Sequence, residues 1–326
     1  MSLAKIIASI IFLVSPMAFA NISLAREQPQ LQTHKLSLNA FENIDKALPL
    51  PPELLTKIYP DVAVIRLNKA KDLIAEFDNN HYQLSTVLQS QQLPSYFIEN
   101  LPNDLNELTV ANKISGFIRL MLPTIKAVNN QLLRVRAQVI TLSAKPKSQW
   151  SAAETQWLQG LFDTYLVESK NIDELLLRLD IVPTGMVLAQ AIDESGWGSS
   201  YFAKAGNNLF GEHLSQSGGD YLTTPGGDVK VAAFANLYQS TASYMHNLNT
   251  TLAYQELRIL RRALAQKNQL TGYELVQALT HYSTRGQAYV DNLRALIKRH
   301  SLDSYAKANL LETGSKRYRF NEPIKR

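Results

Sequence analysis

The chain has 326 residues, 45% of them hydrophobic and 19% charged, so it can bury one large core. This composition excludes a disordered or fibrous protein. Cysteine is absent, which excludes disulfides, thiolate metal sites and a cysteine nucleophile. The formal net charge of +5 at pH 7 suits an anionic partner such as wall polymers, lipid headgroups or nucleic acid.

The first 20 residues have the layout of a secretory signal peptide. Lys5 precedes an apolar run over residues 6–14, and the small-x-small triplet at residues 18–20 follows. The run is shorter than the roughly 20 residues needed to cross a bilayer, so a retained anchor is the weaker alternative. We expect cleavage near Ala20, a periplasmic or envelope-associated protein, and no membrane span afterwards. Export argues against nucleic acid as the partner.

Residues 21–60 are predicted to be a linker, because they are polar and the LPLPPELL segment carries three prolines, which oppose a long helix. Residues 61–146 are predicted to form a helical N-terminal region. Its clearest signal lies at residues 113–142, where apolar residues recur at helical spacing on both sides of Pro123. This pattern predicts two helices or one kinked helix.

Three further helices are predicted between residues 147 and 196, and the middle one is the short segment NIDELLLRL, residues 171–179. Ser151 starts the capping-box pattern SAAE, and the apolar stripe behind it predicts a helix that ends near Lys170. Pro183 suits a first helical turn and Gly196 is the next chain break, so a helix should run from Pro183 to about Ser195.

A β-hairpin is the one strand signal that we find after the signal peptide. DYLTT and DVKVAAF flank a PGG turn, and apolar residues alternate in the second segment. Helical patterns return from Thr241 to about Ala308. The predicted fold is mostly α, with a helical domain at 147–310 that carries a small β-hairpin lobe. A helical N-terminal region precedes this domain and a basic tail, residues 311–326, follows it.

Two adjacent carboxylates, Asp193 and Glu194, lie in the last turn of the helix predicted after Pro183. Helical spacing turns Glu194 toward an apolar wall and Asp193 toward solvent. Desolvation, the negative end of the helix dipole and the charge of Asp193 should all raise the pKa of Glu194. A carboxylic acid of this kind can protonate a leaving glycosidic oxygen near neutral pH. The alternative is a carboxylate that only caps backbone or pairs with a lysine.

The segment LLLRLDIVPTGMVLAQAIDESGWGSSYFAKAGNNLFGEH, residues 175–213, resembles the bacterial glucosaminidase domain of glycoside hydrolase family 73, and within it the Bax-like bacterial proteins. SYMHNLNTTLAYQELRILRRAL and HYSTRGQAYVDNLRALI continue the resemblance, which covers roughly residues 117–308. It implies a lysozyme-like fold, export, and hydrolysis of the bond that follows N-acetylglucosamine in peptidoglycan. It also implies that Glu194 is the general acid. No metal or organic cofactor is expected.

The identity of a second carboxylate stays open at this point. Relatives often carry a glutamate on the β lobe, where this chain has Thr-Thr-Pro at residues 223–225. Asp228, Asp220 and Glu212 are the candidates, in that order, although Asp228 also fits an ordinary turn. If no second carboxylate is needed, the substrate's acetamido group or a water held by a tyrosine could replace it.

Five other side chains are candidates for the site. Tyr282 falls where the family has a functional tyrosine, although a tyrosine packed on the core is an equal alternative. Trp197, Tyr201, Asn208 and Phe210 surround the acid in sequence, and we predict that they bind substrate, because aromatic faces and amides suit sugars. Phe210 also fits a core position, and Asn208 also fits a role in the loop.

Other polar clusters carry less information. The histidines are scattered and none has zinc-ligand spacing, so no metal site is predicted. Arg258, Arg261 and Arg262 recur at helical spacing. They could hold phosphates or wall carboxylates, but a solvated helix face is the simpler interpretation.

The residues and the resemblance together predict an exported endo-β-N-acetylglucosaminidase that acts on peptidoglycan glycan strands. A muramidase or lytic transglycosylase is the enzymatic alternative, because the same fold and acid can serve either bond. Domains of this family also carry amidase and mannosyl-glycoprotein glucosaminidase labels. A non-catalytic wall-binding scaffold is the alternative of another class, and the missing hairpin glutamate keeps it open.

Overall fold

The computed structural model describes residues 48–57, 59–214, 218–224 and 229–321; the predicted signal peptide and most of the predicted linker lie outside this part. The helices are α1 (Ala70–Asn79), α2 (Leu84–Ser90), α3 (Val110–Ser143), α4 (Ala152–Thr164), α5 (Ile172–Arg178), α6 (Thr184–Ser195), α7 (Tyr201–Gly206), α8 (Leu237–Thr250), α9 (Gln255–Gln266), α10 (Gly272–Leu275) and α11 (Gln287–Arg299). The strands are β1 (Val64–Leu67), β2 (Gln92–Leu93), β3 (Tyr96–Ile98), β4 (Tyr221–Thr223), β5 (Lys230–Ala232), β6 (Asn309–Leu310) and β7 (Lys316–Phe320).

The mostly helical architecture with a small hairpin is confirmed. Strands β4 and β5 pair antiparallel, with Tyr221 opposite Ala232 and Thr223 opposite Lys230, as the alternating pattern predicts. The PGG turn between them lies outside the described residues. The hairpin is not the only strand pair in the described part, because β1, β2, β3, β6 and β7 form two further small sheets.

Helix α3 is the centre of the core. It runs unbroken through Pro123, and every residue from 116 to 129 is buried. The buried amide of Asn129 donates to the Val182 carbonyl at 2.8 Å and accepts from the Val182 amide at 3.1 Å. An unpaired buried amide would cost about 1–3 kcal/mol, so this pairing holds the segment that leads into α6 against α3.

Helix α6 begins and ends as predicted. Pro183 is the residue before its first turn, and Gly196 ends it with φ 56°. Helix α4 starts at the predicted capping box of Ser151 but ends earlier than predicted, at Thr164. The cause is local: Leu166 has φ 55°, and the backbone N–H of Val167 donates to the Phe162 carbonyl at 2.8 Å, which closes the helix.

Residues 48–57, which the sequence assigns to a linker, pack against the core instead. Pro51 has an extended backbone and Pro52 begins a short 3₁₀ helix, Pro52–Leu54. Carbonyl groups of the segment accept hydrogen bonds from buried side chains. The three donors are Gln131 to Leu50 at 2.6 Å, Trp157 to Pro49 at 2.8 Å and Tyr238 to Pro52 at 2.9 Å.

Part of the predicted basic tail is a central strand. Strand β7 pairs in parallel with β1 on one side and β3 on the other. Its Tyr318 and Phe320 are buried, while Arg317 and Arg319 alternate with them and donate to the buried carboxylate of Glu99. Charged and apolar residues therefore alternate in this segment as they do in a β-strand, although its overall positive charge does not indicate a strand. The described residues belong to one compact unit.

Two negative findings concern the described residues only. Within them, no helix combines the length and the apolarity needed to cross a bilayer. The same residues contain no group of three or more His, Cys, Asp or Glu side chains placed to hold a metal ion.

Candidate active site

Glu194 lies in the last turn of α6, where the chain turns sharply. Gly196, Trp197 and Gly198 all have positive φ angles, of 56°, 59° and 74°. The buried hydroxyl of Ser195 accepts a hydrogen bond from the backbone N–H of Gly198 at 2.8 Å. This turn takes the chain away from the helix axis shortly after Glu194, so the carboxylate lies at the helix end on a fixed backbone.

A chain of buried polar side chains leads to Glu194. The Tyr244 hydroxyl donates to Oε1 of Gln190, and Nε2 of Gln190 donates to the Tyr289 hydroxyl at 2.9 Å. Because the Tyr289 oxygen already accepts from Gln190, its own proton is free for the carboxylate of Glu194, with which it forms a hydrogen bond. Gln190 and Glu194 share one face of α6, four residues apart.

Burial raises the pKa of the Glu194 carboxyl, and the negative charge of Asp193 raises it further. The hydrogen bond from Tyr289 and the positive charge of Arg285 act in the opposite direction, since both stabilise the carboxylate. Burial wins, so the direction predicted from the sequence is confirmed. Its surroundings therefore favour the protonated form of Glu194 through burial, and they also contain two groups, Tyr289 and Arg285, that stabilise the ionised form.

Asp193 is not solvated, contrary to the sequence-based prediction. Its side chain is only 9% exposed, because Arg285 pairs with it through both Nη atoms. Asn292, on α11, donates to Oδ1 at 2.6 Å. The Arg285 guanidinium also lies 4.6 Å from the centre of the Tyr289 ring. The packing of α11 against α6 creates this enclosure, and helical spacing within α6 does not reveal it.

Glu212 is a second buried carboxylate in the same neighbourhood. The Ser243 hydroxyl donates to Oε2 at 2.9 Å, and the buried Oε1 has no hydrogen-bond partner among the described residues. Burial raises the pKa of Glu212 to about 8. Negative charge on either Glu194 or Glu212 also raises the pKa values of Tyr254 and Tyr282, which places both carboxylates near the same tyrosines. Glu212 ranked last among the sequence candidates because burial cannot be seen in the sequence around it.

Tyr282 lies inside this cluster. Its ring stacks on Tyr289 with 5.5 Å between centroids and 2° between planes, and it lies 6.0 Å from the ring of Tyr254. The hydroxyl donates to the Phe210 carbonyl at 3.1 Å. Tyr282 therefore packs against Tyr289, the hydrogen-bond partner of Glu194, and its hydroxyl also holds the loop at Phe210. A direct role in catalysis stays a prediction.

The side chains of Asn208 and Phe210 make contacts with other parts of the protein. The Asn208 amide donates to the carbonyls of Glu212 at 2.8 Å and Ala232 at 2.9 Å, and its oxygen accepts from the Glu212 N–H at 3.0 Å. The Phe210 ring stacks on Tyr244 at 3.9 Å. These contacts join the loop to the hairpin and to α8, which matches the alternative roles that the sequence left open.

Trp197 and Tyr201 differ in their surroundings. The Trp197 indole packs edge-on against Phe117 at 5.9 Å and His300 at 5.1 Å, so it belongs largely to the packing beside α3. Tyr201 is 57% exposed and touches the ring of Phe202. Of the four predicted substrate-binding side chains, Tyr201 is the one that offers an aromatic face to solvent. Its binding role stays a prediction.

The hairpin candidates for a second carboxylate gain no support. Asp228 lies outside the described residues, together with Pro225. Asp220 is exposed just before β4. Thr224 closes the strand end, where its hydroxyl accepts from the Val229 N–H at 3.3 Å.

Comparison with known proteins agrees with a glycosidase site. Residues 169–302 match the glucosaminidase family, described as mannosyl-glycoprotein endo-beta-N-acetylglucosaminidase. The chain is 34% identical to protein bax of Escherichia coli K12 over 188 residues, which are 56% of this chain and 67% of that protein. The catalytic domain of the autolysin Auto from Listeria monocytogenes aligns over 52% of this chain and 96% of its own length, with 18% identity and a TM-score of 0.30.

The chain therefore belongs to the glucosaminidase family and is a glycoside hydrolase. The family resemblance read from the sequence blocks is confirmed.

Proposed function

We propose that this glycoside hydrolase is an exported endo-β-N-acetylglucosaminidase that cuts peptidoglycan glycan strands, with Glu194 as its general acid. The observation that carries the proposal is the buried Glu194 carboxyl at the end of α6, which has a raised pKa and a hydrogen bond from Tyr289. A carboxyl whose pKa is raised keeps its proton to higher pH than a free glutamate, and it can give up that proton during bond cleavage.

The surroundings of Glu194 suit both of its protonation states. Before the reaction, burial favours the neutral acid that protonates the glycosidic oxygen as the bond to the sugar carbon breaks. After the transfer, the Tyr289 hydroxyl and the Arg285 charge stabilise the carboxylate that remains. The Gln190 amide donates to the Tyr289 hydroxyl oxygen, and this contact keeps the tyrosine's own proton directed at Glu194.

Glu212 does not suit the role of a general base at neutral pH, since its pKa of about 8 keeps it protonated there. The attacking group is therefore the substrate's acetamido oxygen or a water activated elsewhere. Asp228 stays a candidate for that activation on sequence grounds alone. Export is supported by the signal-peptide layout of the first 20 residues.

Digestion of purified sacculi by the chain without residues 1–20, followed by mass spectrometry of the fragments, tests the bond assignment. Reducing N-acetylglucosamine ends are expected. Reducing or anhydro muramic ends would contradict the bond that we assign. They would leave Glu194 as the acid, because the same acid can serve the neighbouring bond.

In-gel lysis tests the acid itself. Glu194→Gln keeps the size of the side chain but has no acidic proton to transfer, so clearing should fall by about 10²–10⁴-fold. The exposed Glu256 on α9 provides a matched control, and Glu256→Gln should clear like the parent. Equal clearing by Glu194→Gln would remove Glu194 from the mechanism, and no clearing by the parent would favour a wall-binding protein.

A further inference from the structure

A second group of charged side chains lies outside the active site described above. An open cleft of about 470 Å³ lies between α3, α5 and α9. Leu176, Leu177 and Ala265 form the apolar part of its wall. The charged residues that line it are Arg136, Arg258, Arg261, Arg262, Asp173 and Asp180.

Two of the three α9 arginines are not part of the solvated helix face that their spacing favours. Arg258 and Arg261 are 2% and 1% exposed. Burial lowers the pKa of each to about 10, so both remain charged at neutral pH. Charges in such surroundings need polar partners, because desolvation costs several kcal/mol for each ion.

Arg261 finds its partners within the protein. Nη1 donates to the Ile181 carbonyl at 2.9 Å and to Oδ1 of Asn249 at 2.7 Å, and Nη2 donates to the Leu177 carbonyl at 2.9 Å. These contacts close the C-terminal end of α5, where helix carbonyls lack partners. Arg261 is therefore a structural residue at the base of the cleft.

The other three arginines use only part of their hydrogen-bonding capacity. Arg258 donates to carbonyls through Nη1 only, at 3.0 and 2.8 Å. Arg262 donates through Nη2 only, to the Asp173 carbonyl at 2.8 Å. Arg136 donates through Nη1 only, to two carbonyls near the end of α5. In the part of the chain that the structure describes, Nε and the second Nη of each have no protein partner. Three guanidinium groups with spare donors thus line one cleft.

The carboxylates of the cleft do not neutralise these groups. Four guanidinium groups face two carboxylates, which leaves a surplus of two positive charges. Asp180 accepts from the Ile181 N–H at 2.8 Å and lies 3.8 Å from Nη1 of Arg136, a loose contact. Asp173 forms no ion pair with another described residue.

We infer that this cleft is a binding site for an oxyanion, the phosphate or carboxylate group of a second ligand, held by Arg136, Arg258 and Arg262. Guanidinium groups with parallel N–H donors match the paired oxygens of both anions, and charge-assisted hydrogen bonds are about twice as strong as neutral ones. The apolar wall can carry the carbon part of the ligand. The site does not depend on the bond that Glu194 cleaves.

Calorimetric titration of the chain without residues 1–20, with inorganic phosphate and with succinate in separate experiments, tests the inference. Binding of phosphate alone assigns the cleft to a phosphate-bearing ligand, and binding of succinate alone assigns it to a carboxylate-bearing one. Both anions should bind more weakly as salt increases. If neither anion gives binding heat at concentrations up to about 10 mM, the site is overturned. A dissociation constant of that size corresponds to a binding free energy of only about 3 kcal/mol.

Arg262→Gln and Arg136→Gln locate the binding. Each should weaken the affinity about five- to tenfold, because each removes one charge from the cleft. Arg134→Gln is the matched control: Arg134 is an exposed residue of α3 that does not line the cleft. Arg262 is exposed and makes one hydrogen bond, so Arg262→Gln keeps the test independent of folding. Equal weakening by Arg134→Gln would show general surface attraction and overturn the site.

Discussion

Gln190 donates a hydrogen bond of 2.9 Å to the Tyr289 hydroxyl, and this contact decides where the tyrosine proton points. Tyr244 in turn fixes Gln190 by donating to its amide oxygen. The three side chains come from α6, α8 and α11, so packing of these helices sets the proton position next to Glu194. The pH dependence of hydrolysis should report this arrangement.

Tyr289→Phe should move the alkaline limb of hydrolysis to higher pH. The lost hydroxyl stabilises the Glu194 carboxylate, so its removal raises the pKa of the acid further. One hydrogen bond to a charged group predicts a shift of about one pH unit. The pH profile of kcat measures it. Tyr305→Phe is the control: the Tyr305 hydroxyl is not among the groups that shift the pKa of Glu194, so the profile should stay unchanged, and an identical shift there would refute the assignment.

Asp193→Asn should move the same limb to lower pH. The Asp193 charge raises the pKa of Glu194, while Arg285 lowers it, so removing the aspartate charge acts in one direction only. A shift of about one pH unit or less is expected, with activity retained at acidic pH. Loss of activity at every pH would instead make Asp193 a catalytic group.

Glu212→Gln should stabilise the protein at neutral and alkaline pH. The pKa of Glu212 rises from 4.5 to about 8 on folding, so the native state binds more protons between these values and its stability falls as pH rises. Glutamine cannot ionise and removes this loss, which predicts a gain of about 2–4 kcal/mol at pH 8 and little below pH 4.5.

Urea unfolding at several pH values measures this gain. Glu256→Gln, at an exposed position of α9, is the control and should follow the parent at each pH. A gain for Glu212→Gln that does not grow between pH 5 and pH 8 would show that Glu212 is ionised inside the folded protein.

Gly211→Ala, compared with Gly314→Ala, should distinguish the effect of backbone strain from the effect of an added methyl group beside Glu194. Gly211 has φ 69°, and an added Cβ would lie 3.6 Å from Oε2 of Glu194. Gly314 has φ 71° and open space around it, so Gly314→Ala carries the same strain without a neighbour. Each substitution should cost about 1–2 kcal/mol of stability. Only Gly211→Ala should also lower kcat; equal kcat values would show that the loop does not shape the acid site.

Much of α6 and its acid could be predicted from the sequence. Pro183 and Gly196 mark its ends, and the position of Glu194 in the last turn indicates a raised pKa. These features depend on contacts within one helix, where spacing and end residues decide the outcome. The blocks around the helix were also sufficient to identify the glucosaminidase family.

Other features were decided only by tertiary structure. The enclosure of Asp193 by Arg285, the burial of Glu212 and the burial of Arg258 depend on helices that pack across long stretches of chain. Strand β7 shows the same limit, because its charges are explained by Glu99, more than 200 residues away. Local sequence patterns determine where a helix begins and ends and which side chains lie in its last turn. Solvent exclusion and pairing between distant segments determine the charge state of each group and what it can bind.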